Sequence, residues 1–96
     1  MYASIRRYRI DRSSIDRISA LARDGFLPII SEMPGFVAYY VVDQGDGNAA
    51  TISIFQDKAA AEESNRAAAG WVQENMVSLI EGPPEILAGK VVVSSS

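Results

Sequence analysis

The chain has 96 residues, 48% of them apolar and 22% charged, which is the make-up of one globular domain spanning 1–96. It contains no cysteine and no histidine, which excludes disulfides, thiolate nucleophiles and thiolate zinc sites, and removes the commonest neutral-pH base and haem ligand. The net charge of −3 is uneven, with six arginines against three aspartates in residues 1–24 and carboxylates in excess beyond.

Residues 2–10, "YASIRRYRI", alternate as a strand does, with Tyr2, Ser4, Arg6, Tyr8 and Ile10 on one side. Ser13 or Ser14 is the expected N-cap of a first helix, with Asp16 in its first turn. Ile15, Ile18, Ala22, Phe26 and Ile29 recur at helical spacing and carry that helix to about Met33. Pro28 is expected to kink it, because proline offers no N–H to the turn before. Pro34 and Gly35 end it.

Residues 36–43, "FVAYYVVD", and 49–55, "AATISIF", read as two strands joined by the turn "QGDGN" into a hairpin. Asp57 caps a second helix. Its buried stripe is expected to hold Ser64, Ala68, Trp71 or Val72, Asn75 and Leu79, with a bend at Gly70. "GPPE" stops it, and residues 86–93, "ILAGKVVV", form a last strand.

The order is β-α-β-β-α-β, which defines an α+β ferredoxin-like fold. Four strands form one antiparallel sheet with both helices on one face. Nothing in the chain is left to cover the other face, yet the hairpin strands carry bulky apolar side chains on both sides. The cover must come from outside.

An RNA-recognition domain has the same order but stacks bases on a basic, aromatic third strand. "AATISIF" lacks that pattern and the chain is acidic, so no nucleic-acid partner is expected. No apolar run approaches the roughly 20 residues that cross a bilayer, so no membrane partner is expected either. Arginines stand in "MYASIRRYRI" where a signal peptide has its apolar segment, and the expected location is cytoplasmic.

The stretch "LPIISEMPGFVAYYVVDQGDGNAATISIFQDKAAAEESNRAAAGWVQENM", together with "GKVVV", resembles the antibiotic biosynthesis monooxygenase-like superfamily of dimeric α/β barrels. The resemblance covers nearly the whole chain. It implies a homodimer in which two sheets pack through their open faces into a shared barrel, and a ligand site between sheet and helices. The haem-degrading branch uses an Asn on the first strand and a Trp and a His on the second helix. Those places fall on Arg6, Ser64 and Glu74, so haem cleavage is not expected. The cofactor-independent branch uses Asn, Tyr, Trp and Arg around a phenolic substrate, and Arg6, Tyr8, Tyr39, Tyr40, Asn65 and Trp71 supply such residues here.

Arg6, Tyr39, Asn65 and Glu74 are therefore the catalytic candidates, and Arg6, Tyr8, Ser64 and Trp71 the ligand-binding ones. Each has a plain structural role open to it as well. Trp71 either fills the core or walls a cleft for a flat ligand. The tyrosines either pack or donate a proton to an oxygenated substrate. Arg6 either holds an anionic oxygen or pairs with an acid such as Glu74 or with the partner chain. Glu74 is a base only if an apolar cleft raises its pKa, and is otherwise solvated. Two functions follow. One is cofactor-free oxidation of a small aromatic or polyketide-like molecule, needing neither metal nor cofactor. The other is a non-catalytic dimer that binds a small molecule or serves as a stress or accessory protein.

Overall fold

A computed structural model of the chain describes residues 1–95. Its strands β1 (Tyr2–Arg9), β2 (Phe36–Gly45), β3 (Asn48–Phe55) and β4 (Glu85–Lys90) form one antiparallel sheet in the order β2-β3-β1-β4. The first helical segment comprises α1 (Ile15–Leu21), a π-helical turn (Ala22–Phe26) and α2 (Leu27–Ser31), and the second is α3 (Lys58–Asn75). This is the α+β ferredoxin-like arrangement expected from the order of elements.

Ser4, Arg6 and Tyr8 on β1 and Ala49, Ser53 and Phe55 on β3 are buried, because both helical segments cover that face. The core has two clusters. Tyr8, Ile10, Ile18, Ala49 and Met76 form one, and Phe26, Ile30, Phe55, Ala61 and Ala68 the other. Trp71 packs against both and joins them.

The helix expected up to Met33 departs from regular α geometry at the π turn rather than simply kinking at Pro28. Leu27 donates its N–H to the carbonyl of Ala22, five residues back, which widens the turn just before the proline. The wider turn advances the buried face by one residue. Ile30 is fully buried, whereas Ile29, expected on the stripe, is 47% exposed.

Other boundaries shift for local reasons. Ser14 stands at the N-cap of α1 as expected but makes no side-chain cap bond, and the capping carboxylate is that of Asp11, which accepts from the N–H of Ser13 at 2.9 Å in the short 3-10 turn before it. Helix α3 is capped by Asp57, which accepts from the N–H of Ala60, and it runs through Gly70 without a break. Its buried stripe ends on Met76 rather than Asn75, which is exposed. Strand β4 stops at Lys90, which pairs with Tyr2, and one further backbone bond, from the N–H of Val91 to the carbonyl of Met1, follows it. Val92 and Val93, expected in that strand, are exposed.

The hairpin turn uses Gly45, Asp46 and Gly47, all at positive φ. Gly47 is required twice over, since a Cβ there would also lie 2.5 Å from the carbonyl oxygen of Ile10. On the uncovered sheet face, Tyr40, Ile52, Ile5 and Leu87 line up in one row across all four strands. Tyr40 is 55% and Leu87 67% exposed, so the row ends in bare apolar surface.

Candidate functional site

A cavity of about 30 Å³ lies between the sheet and the helices. Its floor carries the polar side chains, Arg6 and Tyr8 from β1, Tyr39 from β2, and Thr51 and Ser53 from β3, beside the apolar Val41 and Ala49. Its roof is apolar: Ala22 and Phe26 from the π turn, and Ala68, Trp71 and Val72 from α3, closed at one end by Met76. Register explains the floor. Arg6 pairs with Thr51, and Ser53 with Tyr39, so alternate residues of three strands converge on one patch.

Arg6 is only 6% exposed. Its Nε donates to the hydroxyl of Tyr8 at 2.8 Å, and its guanidinium carbon lies 6.0 Å from that ring. Among the described residues no carboxylate comes within ion-pairing distance of it. A buried cation without a counter-ion costs several kcal/mol of desolvation. The pairing with Glu74 open to Arg6 from the sequence is absent.

Tyr39, Phe26 and Trp71 form a continuous aromatic wall. Phe26 meets Tyr39 edge to face at 5.6 Å and Trp71 at 5.4 Å. Burial pushes the Tyr39 phenol well above the usual tyrosine range, the nearby Tyr8 adds to this, and Arg6 opposes it. Tyr39 therefore stays protonated at neutral pH and offers a hydrogen-bond donor.

Of the residues singled out in the sequence, Arg6, Tyr8, Tyr39 and Trp71 meet at this cavity. The others stand outside its lining. Ser64 is buried, but its hydroxyl donates to the carbonyl of Ala61 at 2.7 Å. Asn65 accepts a hydrogen bond from the hydroxyl of Ser4 at 2.8 Å. Glu74 is exposed on α3, so the apolar cleft that would make it a base is not there. Tyr40 points to the uncovered sheet face. Thr51, Ser53, Phe26 and Met76 also line the cavity and were not singled out as site residues. For Thr51 and Ser53 the signal was legible, since they alternate with Ala49 and Phe55 on one side of "AATISIF".

No family model and no curated protein matches the chain. Solved structures match it over nearly its whole length, a protein of unknown function among them. A monooxygenase from the gene ActVA-Orf6 of Streptomyces coelicolor, in complex with the ligand Nanaomycin D, is similar with TM-score 0.76 and 20% identity, covering 97% of this chain and 92% of that one. SnoaB, a cofactor-independent oxygenase from Streptomyces nogalater, is similar with TM-score 0.73 and 16% identity over 98% and 95%. A haem degrader from Mycobacterium tuberculosis, MhuD, is similar with TM-score 0.77 and 12% identity over 100% of both chains. The chain shares the fold of these structures, among them ones described as antibiotic biosynthesis monooxygenases.

Haem does not fit the residues present. Histidine and cysteine, the usual protein ligands of haem iron, are lacking.

Proposed function

We propose that the chain is a cofactor-independent monooxygenase acting on a small aromatic or polyketide-like substrate, as one domain in a homodimer closed through the open sheet faces. The observation that carries this reading is the pairing of Arg6 and Tyr39 on the floor with Phe26 and Trp71 on the roof of one cavity. The reaction class converts an activated CH₂ of the substrate to a carbonyl. One atom of O₂ enters the carbonyl and the other leaves as water with the two hydrogens. The substrate supplies the electrons and enters as its enolate, the CH₂ proton already lost to solvent, so the protein's task is to hold and stabilise that anion. Arg6 and the neutral Tyr39 offer donors to the enolate oxygen, while the aromatic wall holds the ring flat and keeps water out. The two Streptomyces structures of the same fold support the chemistry.

The bare apolar row of Tyr40, Ile52, Ile5 and Leu87 supports the dimer, since such a face on a monomer would be left wet. Among the described residues no helix is long and apolar enough to cross a membrane. We place the protein in the cytoplasm, with which a cysteine-free chain is compatible.

The test is oxygen uptake with anthrone, a flat ketone with one activated CH₂. Uptake above the protein-free rate, falling at least about tenfold in Tyr39→Phe, supports the reading. Uptake no faster than the protein-free rate removes it. A second reading has its own observation. The cavity lining has no carboxylate, imidazole or thiol, which favours a dimer that binds a small molecule without turning it over.

A further inference from the structure

Two features of the cavity together identify the charge state of what it takes. The first is the guanidinium of Arg6, buried, permanently charged and without a carboxylate partner among the described residues. Among the described residues only its Nε is committed, to Tyr8, so its outer nitrogens remain donors for an anion. The second is the lack of any proton acceptor around it. From the sheet the titratable neighbours are Tyr8 and Tyr39, and from the helical segments come only apolar side chains, including Phe26, Trp71 and Met76. Tyr39 is held protonated by its burial and serves as a donor. No side chain of the cavity can take a proton from a neutral ligand.

We infer that the cavity selects flat organic acids that arrive ionised, a carboxylate, phenolate or enolate oxygen resting on Arg6 and the ring lying against Phe26 and Trp71. This rests on the ligand site assigned above and adds the substrate's charge class to it. The bound anion replaces the missing counter-ion of Arg6, so binding relieves the burial cost of that charge. Thr51 and Ser53 extend the polar floor beside Arg6, which suits a ligand with further oxygens along the same edge.

The test compares 2-naphthoate with its neutral isostere 2-naphthamide by titration calorimetry. Naphthoate is expected to bind at least about tenfold more tightly to the wild-type protein, or 1.4 kcal/mol. The preference disappears in Arg6→Gln and survives in part in Arg6→Lys. A measurement on the wild-type protein alone guards against a variant that fails to fold. 4-Nitrophenol, whose phenolate absorbs in the visible, is titrated with and without protein. Its apparent pKa is expected to fall by about one unit when bound beside the guanidinium. Equal binding of the two naphthalene probes, a preference untouched by Arg6→Gln, an unshifted nitrophenol, or binding of neither probe overturns the inference. Anion selectivity without oxygen uptake keeps this inference and removes the oxygenase reading. Oxygen uptake without anion selectivity does the reverse.

Discussion

A Cβ on Gly25 would stand 2.9 Å from Cζ2 of Trp71, so the indole lies directly against the glycine in the π turn. The side chain that links the two core clusters and roofs the cavity is seated by a missing methyl group. Gly25→Ala gains up to about 1 kcal/mol of helix propensity but overpacks the contact at about 1–3 kcal/mol. The indole has to move, and the open direction is into the cavity. The expected result is a net loss of about 1 kcal/mol in urea unfolding, a shifted emission of this single tryptophan and weaker naphthoate binding. An unchanged emission spectrum with full stability would show that the contact does not seat Trp71.

Ser4 is fully buried and ties β1 to α3 through the hydroxyl it donates to Asn65. Ser4→Ala is expected to cost about 1 kcal/mol, because it removes the donor and leaves Asn65 short of a partner. In a chain of this size that lowers Tm by about 5 °C. Once Asn65→Ala is present, the serine substitution costs less than it does alone. Fully additive losses in the double-mutant cycle would mean the two side chains are not coupled.

Stability at alkaline pH depends on Tyr39. Its folded-state pKa is raised by burial, so in the folded state it holds its proton where the unfolded chain has lost it. By linkage its contribution is full below the unfolded value near pH 10 and is lost as pH rises toward the folded one. The wild-type protein should therefore lose stability more steeply above about pH 10 than Tyr39→Phe, which has no phenol to ionise. Parallel pH profiles for the two proteins would contradict this.

Leu87 and Tyr40 end the apolar row on the uncovered sheet face. In a monomer, Leu87→Glu changes a largely exposed side chain and should alter stability by no more than about 0.5 kcal/mol. In a face-to-face dimer it places two buried charges in an apolar seam. Native mass spectrometry is expected to find dimers for the wild-type chain and monomers for Leu87→Glu. A monomeric wild-type chain would leave the row without a covering copy.

How much of this was written in the sequence varies by element. The alternation of "YASIRRYRI" correctly put Ser4, Arg6 and Tyr8 on one face, because β1 is regular and central. Strand β2 was harder to read. Alternation from Phe36 groups it with Ala38 and Tyr40, but a bulge between Phe36 and Ala38 shifts the pattern by one. That irregularity turns Tyr39 into the cavity and Tyr40 out of it. The π turn does the same to the first helix, exchanging Ile29 for Ile30. Both irregularities are one-residue insertions in a repeat, and neither changes the composition that a periodicity reading sees. Glu74 and Asn75 fell off the buried face of α3 because Trp71, Val72 and Met76 fill it. The family resemblance reached the fold; that Arg6 is buried without a carboxylate beside it among the described residues came from the structure.

The central claim is that the cavity holding Arg6, Tyr39, Phe26 and Trp71 carries out an oxygen insertion. The most direct measurement is turnover of anthrone under ¹⁸O₂ with mass spectrometry of the product. The account predicts one labelled oxygen in the new carbonyl, formed faster than without protein and suppressed when Ala68→Phe fills the cavity. Label appearing no faster than in the protein-free control, or undiminished with the cavity filled, would contradict it.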